Sequence, residues 1–336
     1  MNFFDSLWEA TGIAAVMESL GKKLGIKNKE YHADEIKPKQ YNYRPQTLNE
    51  YVGQINAKKL VEINIRKIQT MKPVHFVITG NMGAGKSLLA GIISNELSMP
   101  MSTFVGGSFN MNNLMDFLIA NQDSEQAKIL FIDEAHSITR PIAEFLLPIL
   151  SDFILPVGGL KLRRFCAVFA TNMPEILIKK YSPLINRCDC VINLTNYSPE
   201  DIKSILKNYN DNLYFKNIEE NIYDAISVNS RYNPRTSIAL FEDFLICENL
   251  KDVFTAHNII KDSLTINDVT VLKHLAELQG KSVSYETLSI VTQMSKEGFL
   301  TQVEPFLIQE GYISRLKSGR CITNKGLKLL EELNEA

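Results

Sequence analysis

The spacing of apolar and polar residues divides the 336-residue chain into four segments. Residues 1–40 combine apolar positions at roughly helical spacing with a polar, lysine-containing stretch, which predicts an amphipathic helix and a linker. Residues 41–196 alternate short apolar runs with helical patterns, which predicts a parallel sheet flanked by helices. Residues 197–263 have a purely helical pattern. Residues 264–336 predict three helices and a two-stranded wing, the pattern of a winged helix.

The second segment is predicted to have the α/β fold class. Its strand candidates are the apolar runs 74–79, 128–132, 165–170 and 191–194. The sequence Ser198-Pro199 then precedes the first helical pattern of the third segment. Serine at the N-cap with proline at the first helical position is a typical helix start.

A glycine-rich stretch follows the first strand candidate. Residues 80–87 have the form G-x-x-x-x-G-K-S and stand between an apolar run and a helix-like run. Glycines let backbone N–H groups surround phosphate oxygens, and the following helix N-terminus adds a positive dipole. Lys86 can then reach the β- and γ-phosphates, and the Ser87 hydroxyl can hold Mg²⁺. The alternative is an ordinary glycine-rich turn, which the flanking patterns disfavour.

Two further strand candidates end in polar residues that suit ATP hydrolysis. Asp133 and Glu134 follow the second apolar run, where Asp133 can hold the Mg²⁺ shell through water and Glu134 can polarise the attacking water. Two parallel strands can point this pair and the phosphate loop at one nucleotide. Asn172 follows the third run and can orient the same water, although Thr171-Asn172 is also a good turn sequence.

Two arginines are candidates for contacts with the nucleotide. Arg187 lies in the stretch 183–189 and can act as an arginine finger offered to a neighbouring subunit. Arg235 lies at the start of a predicted helix and can couple that helix to the nucleotide. For both residues the alternative is a surface arginine in a salt bridge.

Charge and composition restrict the remaining classes. The formal net charge of −2 indicates no global attraction to nucleic acid, so a DNA surface must come from a local patch. Residues 311–328 contain five basic residues and no acid, which suits contacts to DNA phosphates, although a solvated basic face or a protein-binding winged helix would look alike. These five residues are Arg315, Lys317, Arg320, Lys325 and Lys328.

The five cysteines form no C-x-x-C pair, so reduced thiols and a cytoplasmic location are expected. The chain also has no apolar run long enough for a membrane span, so no membrane partner is expected.

The order of these motifs is similar to that of AAA+ ATPases, and residues 43–336 resemble the RuvB family of Holliday-junction branch-migration motors. The C-terminal sequence, residues 303–320, is the most specific part of the resemblance. The stretches that carry it are 43–54, the phosphate loop, 133–136, 231–235, 303–313, Arg315, Gly319 and Arg320.

The resemblance implies a AAA+ P-loop domain with a parallel sheet, an all-α lid domain and a C-terminal winged-helix domain that binds DNA. It also implies ATP and Mg²⁺ as cofactors and a ring of six subunits. The implied ATP-binding residues are Arg44, Tyr51, Val52, Gly80, Gly83, Ala84, Gly85, Lys86, Ser87, Leu88 and Arg235. The implied catalytic residues are Lys86, Glu134, Asn172 and Arg187, the metal ligands are Ser87 and Asp133, and the DNA-binding residues are Arg315, Lys317 and Arg320.

Two features depart from the family pattern. The hairpin that grips the partner RuvA is short here, at residues 154–164, and Lys161, Arg163 and Arg164 make it basic rather than apolar. This argues against docking to RuvA in the usual way and leaves open a contact with DNA or another protein. Residues 1–40 have no recognisable family counterpart. They are either a helix that packs on the body of the protein or a docking segment for a partner such as a loading factor.

Three functions remain open at this point. The leading one is an ATP-dependent DNA motor that acts as a homohexamer on duplex DNA or a four-way junction. The second is an ATP-switched protein remodeller or regulator whose winged helix and N-terminal helix bind protein. The third is a nucleotide-binding scaffold with little turnover, which the intact pair Asp133-Glu134 disfavours.

Overall fold

The computed structural model describes residues 43–70, 72–278 and 280–335. The predicted N-terminal helix and linker of residues 1–40 lie outside these ranges. The strands are β1 Phe76–Thr79, β2 Met101–Val105, β3 Ile129–Asp133, β4 Cys166–Thr171, β5 Cys190–Asn193, β6 Ile259–Lys261, β7 Leu264–Thr265, β8 Ile313–Leu316 and β9 Gly319–Ile322. The helices are α1 Ile55–Thr70, α2 Lys86–Leu97, α3 Met111–Gln122, α4 Arg140–Asp152, α5 Pro174–Ile185, α6 Pro199–Leu213, α7 Glu220–Asn229, α8 Pro234–Cys247, α9 Leu250–Ala256, α10 Ile266–Glu277, α11 Tyr285–Val291, α12 Lys296–Gly298, α13 Glu304–Gln309 and α14 Asn324–Glu335, with a 3₁₀ turn Ala135–Ser137 and a π turn Phe299–Val303.

Strands β1 to β5 form one parallel sheet in the order β2-β3-β4-β1-β5. The four predicted strands correspond to β1, β3, β4 and β5 and are confirmed. Strand β2 was not predicted. It is an edge strand that pairs only with β3, and none of its side chains is fully buried, so the sequence Met-Ser-Thr-Phe-Val has no continuous apolar signal.

Helices cover both faces of the sheet, which explains why its inner strands are apolar without alternation. On β1, Phe76 and Ile78 pack in one cluster with α1 and α2, whereas Val77 packs in the other with α3, α4 and α5. Every residue of β1 and β4 is buried. The sheet is therefore a rigid support for the loops that follow its strands.

Helices α6 to α9 enclose a third apolar cluster after the sheet domain. Helix α6 begins with a capping box in which the Ser198 hydroxyl accepts from the Asp201 backbone N–H at 3.0 Å, so the predicted start of this helix is confirmed. The prediction of a purely helical segment up to residue 263 is wrong at its end. There β6 and β7 form a short antiparallel hairpin that leads into α10.

The C-terminal part is built around a fourth apolar cluster. Helices α10 and α11, the helical stretch from Lys296 to Gln309 and the antiparallel pair β8–β9 confirm the predicted winged helix. Helix α14, which was not predicted, closes the cluster through Leu330. None of the helices in the described ranges has the length and apolar character that crossing a bilayer requires.

Candidate nucleotide site

The polar motifs meet at one edge of the parallel sheet. The phosphate loop follows β1, Asp133 ends β3, and Asn172 directly follows β4. Thr195 lies just after β5 on the same edge. In a parallel sheet the carboxyl ends of all strands share one edge, so these groups converge although they are far apart in sequence.

The phosphate loop is held open by glycines with positive φ. Gly80, Gly83 and Gly85 have φ values of +152°, +81° and +95°, which only glycine adopts easily. The Lys86 amine donates to the carbonyl oxygens of Gly80 and Asn81, both at 2.9 Å. Helix α2 begins at Lys86, so its N-terminus points into the loop. The cradle and its lysine thus suit a chain of phosphates.

A hydroxyl and a carboxylate lie together beside the loop. The Ser87 hydroxyl donates to Asp133 Oδ2 at 2.9 Å, and the Glu134 backbone N–H donates to Asp133 Oδ1 at 2.9 Å. Such oxygen ligands are the ones that Mg²⁺ prefers, so Ser87 and Asp133 fit the predicted metal role. Glu134 has φ +49° and an exposed side chain. Its backbone lies close to Gly106, where an added Cβ would lie 2.4 Å from Glu134 O.

Charged side chains from β3 and from α8 act on the pKa of the Lys86 amine. Burial lowers the pKa of the Lys86 amine, Asp133 raises it, Arg235 lowers it and Glu134 raises it. Arg235 stands in the first turn of α8, with its side chain exposed. Asp133, Glu134 and Arg235 are thus close enough to Lys86 to affect the pKa of its amine.

Asn172 offers an unsatisfied acceptor at this edge. Among the described residues, its Oδ1 atom is buried and has no hydrogen-bond partner. Its neighbour Thr171 is already engaged, because its hydroxyl lies 3.0 Å from His136 Nδ1 and accepts from the Met173 N–H at 2.9 Å. A buried amide oxygen without a partner is unfavourable unless a ligand or water fills the place. This geometry suits the predicted role of Asn172 toward water.

Tyr51 lies beneath the phosphate loop and is only 2% exposed. The Tyr197 hydroxyl donates to Ala84 O at 3.1 Å and lies 3.1 Å from the Tyr51 hydroxyl. An added Cβ at Gly85 would lie 3.1 Å from Tyr51 Oη. Both tyrosines therefore support the loop from below. Tyr197 was missed by sequence reasoning because a lone tyrosine before a helix cap has no motif.

The other predicted nucleotide-binding residues lie in the first turn of α2 and in the segment that precedes α1. Val52 is half-buried, Arg44 is exposed, and Leu88 packs on the apolar cluster of α1 and α2. Their segment is joined to α2 by the Asn95 amide, which donates to Gln46 O at 3.0 Å. A cleft of about 250 Å³ lies beside the loop, between its outer residues, the β5–α6 linker, the lid and the winged helix.

Arg187 lies at the opposite edge of the sheet. It precedes β5, whose first residue Cys190 is paired with Phe76, the first residue of β1. The phosphate loop begins at Gly80, directly after the last residue of the four-residue strand β1. The Arg187 guanidinium donates to Ser151 Oγ at 2.8 Å and to Pro183 O at 2.7 Å. It is therefore separated from the phosphate loop of its own chain by the full length of β1, about 13 Å.

The three predicted DNA-binding residues fall into two groups. Arg315 and Lys317 are exposed on the wing. Arg320 is only 6% exposed, and two of its guanidinium nitrogens lie 2.8 and 2.7 Å from Oε1 of the buried Glu304. Its guanidinium also stands 5.1 Å from the ring centre of Tyr285. This burial and pairing argue against the predicted DNA contact for Arg320, because its charge is compensated inside the winged-helix core.

The short hairpin at residues 154–164 also differs from expectation. Its tip is apolar, because Val157 is 72% and Leu160 is 62% exposed. The Arg163 guanidinium is directed back to the carbonyl oxygens of Ser124 and Glu125. The hairpin therefore presents an apolar tip beside the charges of Lys161 and Arg164, rather than a simply basic surface.

The fold and the site together define a AAA+ P-loop ATPase: a β2-β3-β4-β1-β5 sheet with a phosphate loop, an Asp-Glu pair on β3 and a helical lid. A family model described as the Holliday junction DNA helicase RuvB P-loop domain matches residues 43–194. A second, described as the RuvB C-terminal winged helix domain, matches residues 261–331. The chain belongs to the RuvB family.

Individual relatives support this assignment over nearly the whole chain. The RuvB subunit of the Holliday junction branch migration complex from Mycoplasmopsis pulmonis is 30% identical over 319 residues, which are 88% of this chain and 99% of the relative. The corresponding protein from Phytoplasma mali is 29% identical and covers 91% and 97%. The Thermotoga maritima RuvB branch migration motor superposes with a TM-score of 0.72 and 26% identity, covering 86% of this chain and 98% of that structure.

Proposed function

We propose that this chain is the ATP-hydrolysing motor subunit of a machine that drives branch migration at four-way DNA junctions. The observation that carries the proposal is the complete hydrolytic set at one sheet edge of a RuvB-family chain. Lys86 lies in the phosphate loop. The Ser87 hydroxyl lies 2.9 Å from Asp133 Oδ2, and the next residue, Glu134, has an exposed side chain. The remodeller and the inactive scaffold remain the alternatives.

The residues of the site have separate roles in this proposal. Lys86 exchanges the carbonyl oxygens of Gly80 and Asn81 for phosphate oxygens when ATP binds. Ser87 and Asp133 would hold Mg²⁺, which would supply positive charge beside the phosphates. Glu134 orients the attacking water and takes its proton, while Asn172 Oδ1 accepts a second hydrogen bond from that water. Arg235 approaches from the lid and senses the γ-phosphate.

The position of Arg187 favours hydrolysis between subunits. Because the residue lies at the sheet edge opposite its own phosphate loop, it reaches an ATP molecule only in a neighbouring copy. This supports a closed ring, for which the family resemblance suggests six subunits. In that ring Arg187 acts as an arginine finger in trans.

Mixed rings test the trans finger. Arg187→Ala and Glu134→Gln should each abolish turnover alone, since one lacks the finger and the other lacks the base. A one-to-one mixture should recover about a quarter of the wild-type turnover, because a random ring pairs an intact base with an intact finger at that frequency. If the mixture is as inactive as its components, the finger does not act in trans.

DNA binding is proposed for Arg315 and Lys317 on the wing. We expect contacts to phosphates, and hence binding that is independent of sequence and sensitive to salt. The discriminating measurement is ATP turnover without DNA, with linear duplex and with a four-way junction, at low and moderate salt. Stimulation by the junction supports the motor. An ATP turnover rate that is the same without DNA, with duplex and with the junction would favour the protein remodeller.

The apolar hairpin tip is proposed as a docking point for another protein of the branch migration machine. Val157 and Leu160 are exposed at its tip, and apolar side chains presented on a protruding turn are typical of partner contacts. Leu160→Asp should reduce junction-stimulated turnover in the presence of the partner and leave turnover without DNA unchanged. An equal loss in both assays would assign the residue to folding.

A further inference from the structure

Residues 231–235 lead from the end of α7 into the first turn of α8 and contact both the winged helix and the phosphate loop. Arg231 and Tyr232 both have φ +54°, a left-handed conformation that side-chain-bearing residues rarely adopt. Such a backbone persists only where the surroundings determine it. The contacts of this segment show what determines it here.

Its first residue is anchored in the winged helix. The Arg231 guanidinium forms an ion pair with Asp268, whose side chain is 0% exposed, and donates to Gln302 O. It also stands 4.4 Å from the ring centre of Phe306. The Arg231 backbone N–H is held as well, by the Ser263 hydroxyl at 2.8 Å. This end of the segment is therefore fixed.

The middle residue, Asn233, bridges the lid and the phosphate loop. Its Nδ2 donates to Met82 O at 2.6 Å, and its Oδ1 accepts from the Arg235 N–H at 3.0 Å. A carbonyl can only accept and a backbone N–H can only donate, so these partners fix the orientation of the amide. The approach is close, because a Cβ added to Gly83 would lie 2.4 Å from Asn233 Oδ1.

The bridge sets the place of Arg235. Asn233 is the N-cap of α8, and Arg235 stands in the first turn of that helix. A side chain that bonds both the loop and the helix start holds the two at one separation.

We propose that Asn233 is a positioning residue for ATP hydrolysis: it ties the phosphate loop to the first turn of α8 and thereby holds Arg235 against the γ-phosphate. The proposal rests on the role of Arg235 given under the proposed function. In this proposal Asn233 acts through Arg235 and not directly on the reacting groups.

The test separates the bridge from the helix cap. Asn233→Ser keeps a good N-cap oxygen but is too short to hold Met82 as well. Asn249→Ser is the matched control, because Asn249 caps α9 in the same way, through the Lys251 N–H at 3.0 Å. Asn233→Ser removes one neutral hydrogen bond that we propose acts in the transition state. The loss of one such bond predicts a kcat that is lower by roughly three- to ten-fold.

The readouts distinguish positioning from stability. For Asn233→Ser we expect the ADP affinity, the KM for ATP and the melting temperature to stay near wild-type values while kcat falls. Asn249→Ser should leave kcat unchanged. A kcat within two-fold of wild type for Asn233→Ser, or an equal fall in both variants, overturns the proposal.

A double-mutant cycle separates this proposal from the assigned role of Arg235. If Asn233 acts through Arg235, Asn233→Ser should have no further effect in an Arg235→Ala background. Equal effects in both backgrounds overturn the positioning role. If Arg235→Ala alone retains full turnover, the role of Arg235 is wrong and the inference fails with it. If only Arg235→Ala lowers turnover, the inference fails and the role of Arg235 stands.

Discussion

Arg320 provides the most direct test of how the winged helix is built. We expect Arg320→Ala to destabilise the wing instead of removing a DNA contact. The substitution leaves the Glu304 carboxylate, whose side chain is 5% exposed, without the guanidinium that bonds it at 2.8 and 2.7 Å. Removal of one partner from a buried ion pair costs about 3–5 kcal/mol. The backbone bonds between Arg320 and Val283, at 2.8 and 2.9 Å, are not altered by the change.

The assay is urea unfolding followed by hydrogen exchange of the β8 and β9 amides, which isolates the wing from the rest of the chain. Arg315→Ala is the control, because this exposed residue should change the unfolding free energy by less than about 0.5 kcal/mol. Glu304→Gln combined with Arg320→Met should recover much of the loss, because no buried charge then remains.

DNA binding completes this test. If Arg320 contacted phosphate, its removal would spare stability and reduce the salt slope of DNA binding by about 0.9. That reduction is expected for Arg315→Ala instead. If the unfolding free energy of the wing in Arg320→Ala stays within about 1 kcal/mol of the wild-type value, well short of the expected loss, the reasoning is refuted.

Two other substitutions test the sheet and the site. Gly106→Ala places a Cβ 2.4 Å from Glu134 O, so we expect kcat to fall about ten-fold while ADP binding is retained. Gly107→Ala is the control, because its added Cβ would have no contact nearer than 3.8 Å and should leave kcat unchanged. Equal kcat values for the two variants would contradict this prediction. Burial lowers the pKa of His75, which accepts from the Ala167 N–H at 3.0 Å, so protons bind the unfolded state more readily. The unfolding free energy should therefore fall as the pH drops below the unfolded pKa of 6.5, by up to about 1.4 kcal/mol per unit, and urea titrations of His75→Gln should show a shallower pH dependence.

Local spacing was enough to predict the phosphate loop, the Asp133–Glu134 pair and four of the five strands of the parallel sheet. Each of these signals lies within a short window, because a tight turn, a helix start and a buried strand all need particular residue types at adjacent positions. Strand β2 escaped because an edge strand with polar positions has no such requirement. Residues 1–40 were predicted to be an amphipathic helix and linker and remain a prediction.

Other properties depend on contacts between residues far apart in sequence. Arg315 and Arg320 look alike in the sequence, yet the fold leaves one in solvent and buries the other against Glu304. Arg187 is separated from its own phosphate loop only because β1 and β5 are parallel neighbours in register. Asn233 acts on the loop only because the lid places its amide against Met82. The sequence by itself thus determined which chemical groups the chain carries for binding and hydrolysing ATP. Strand order and domain packing decided which side chains lie near the nucleotide site and which charges are exposed to solvent, because only packing can bury, pair or expose a side chain.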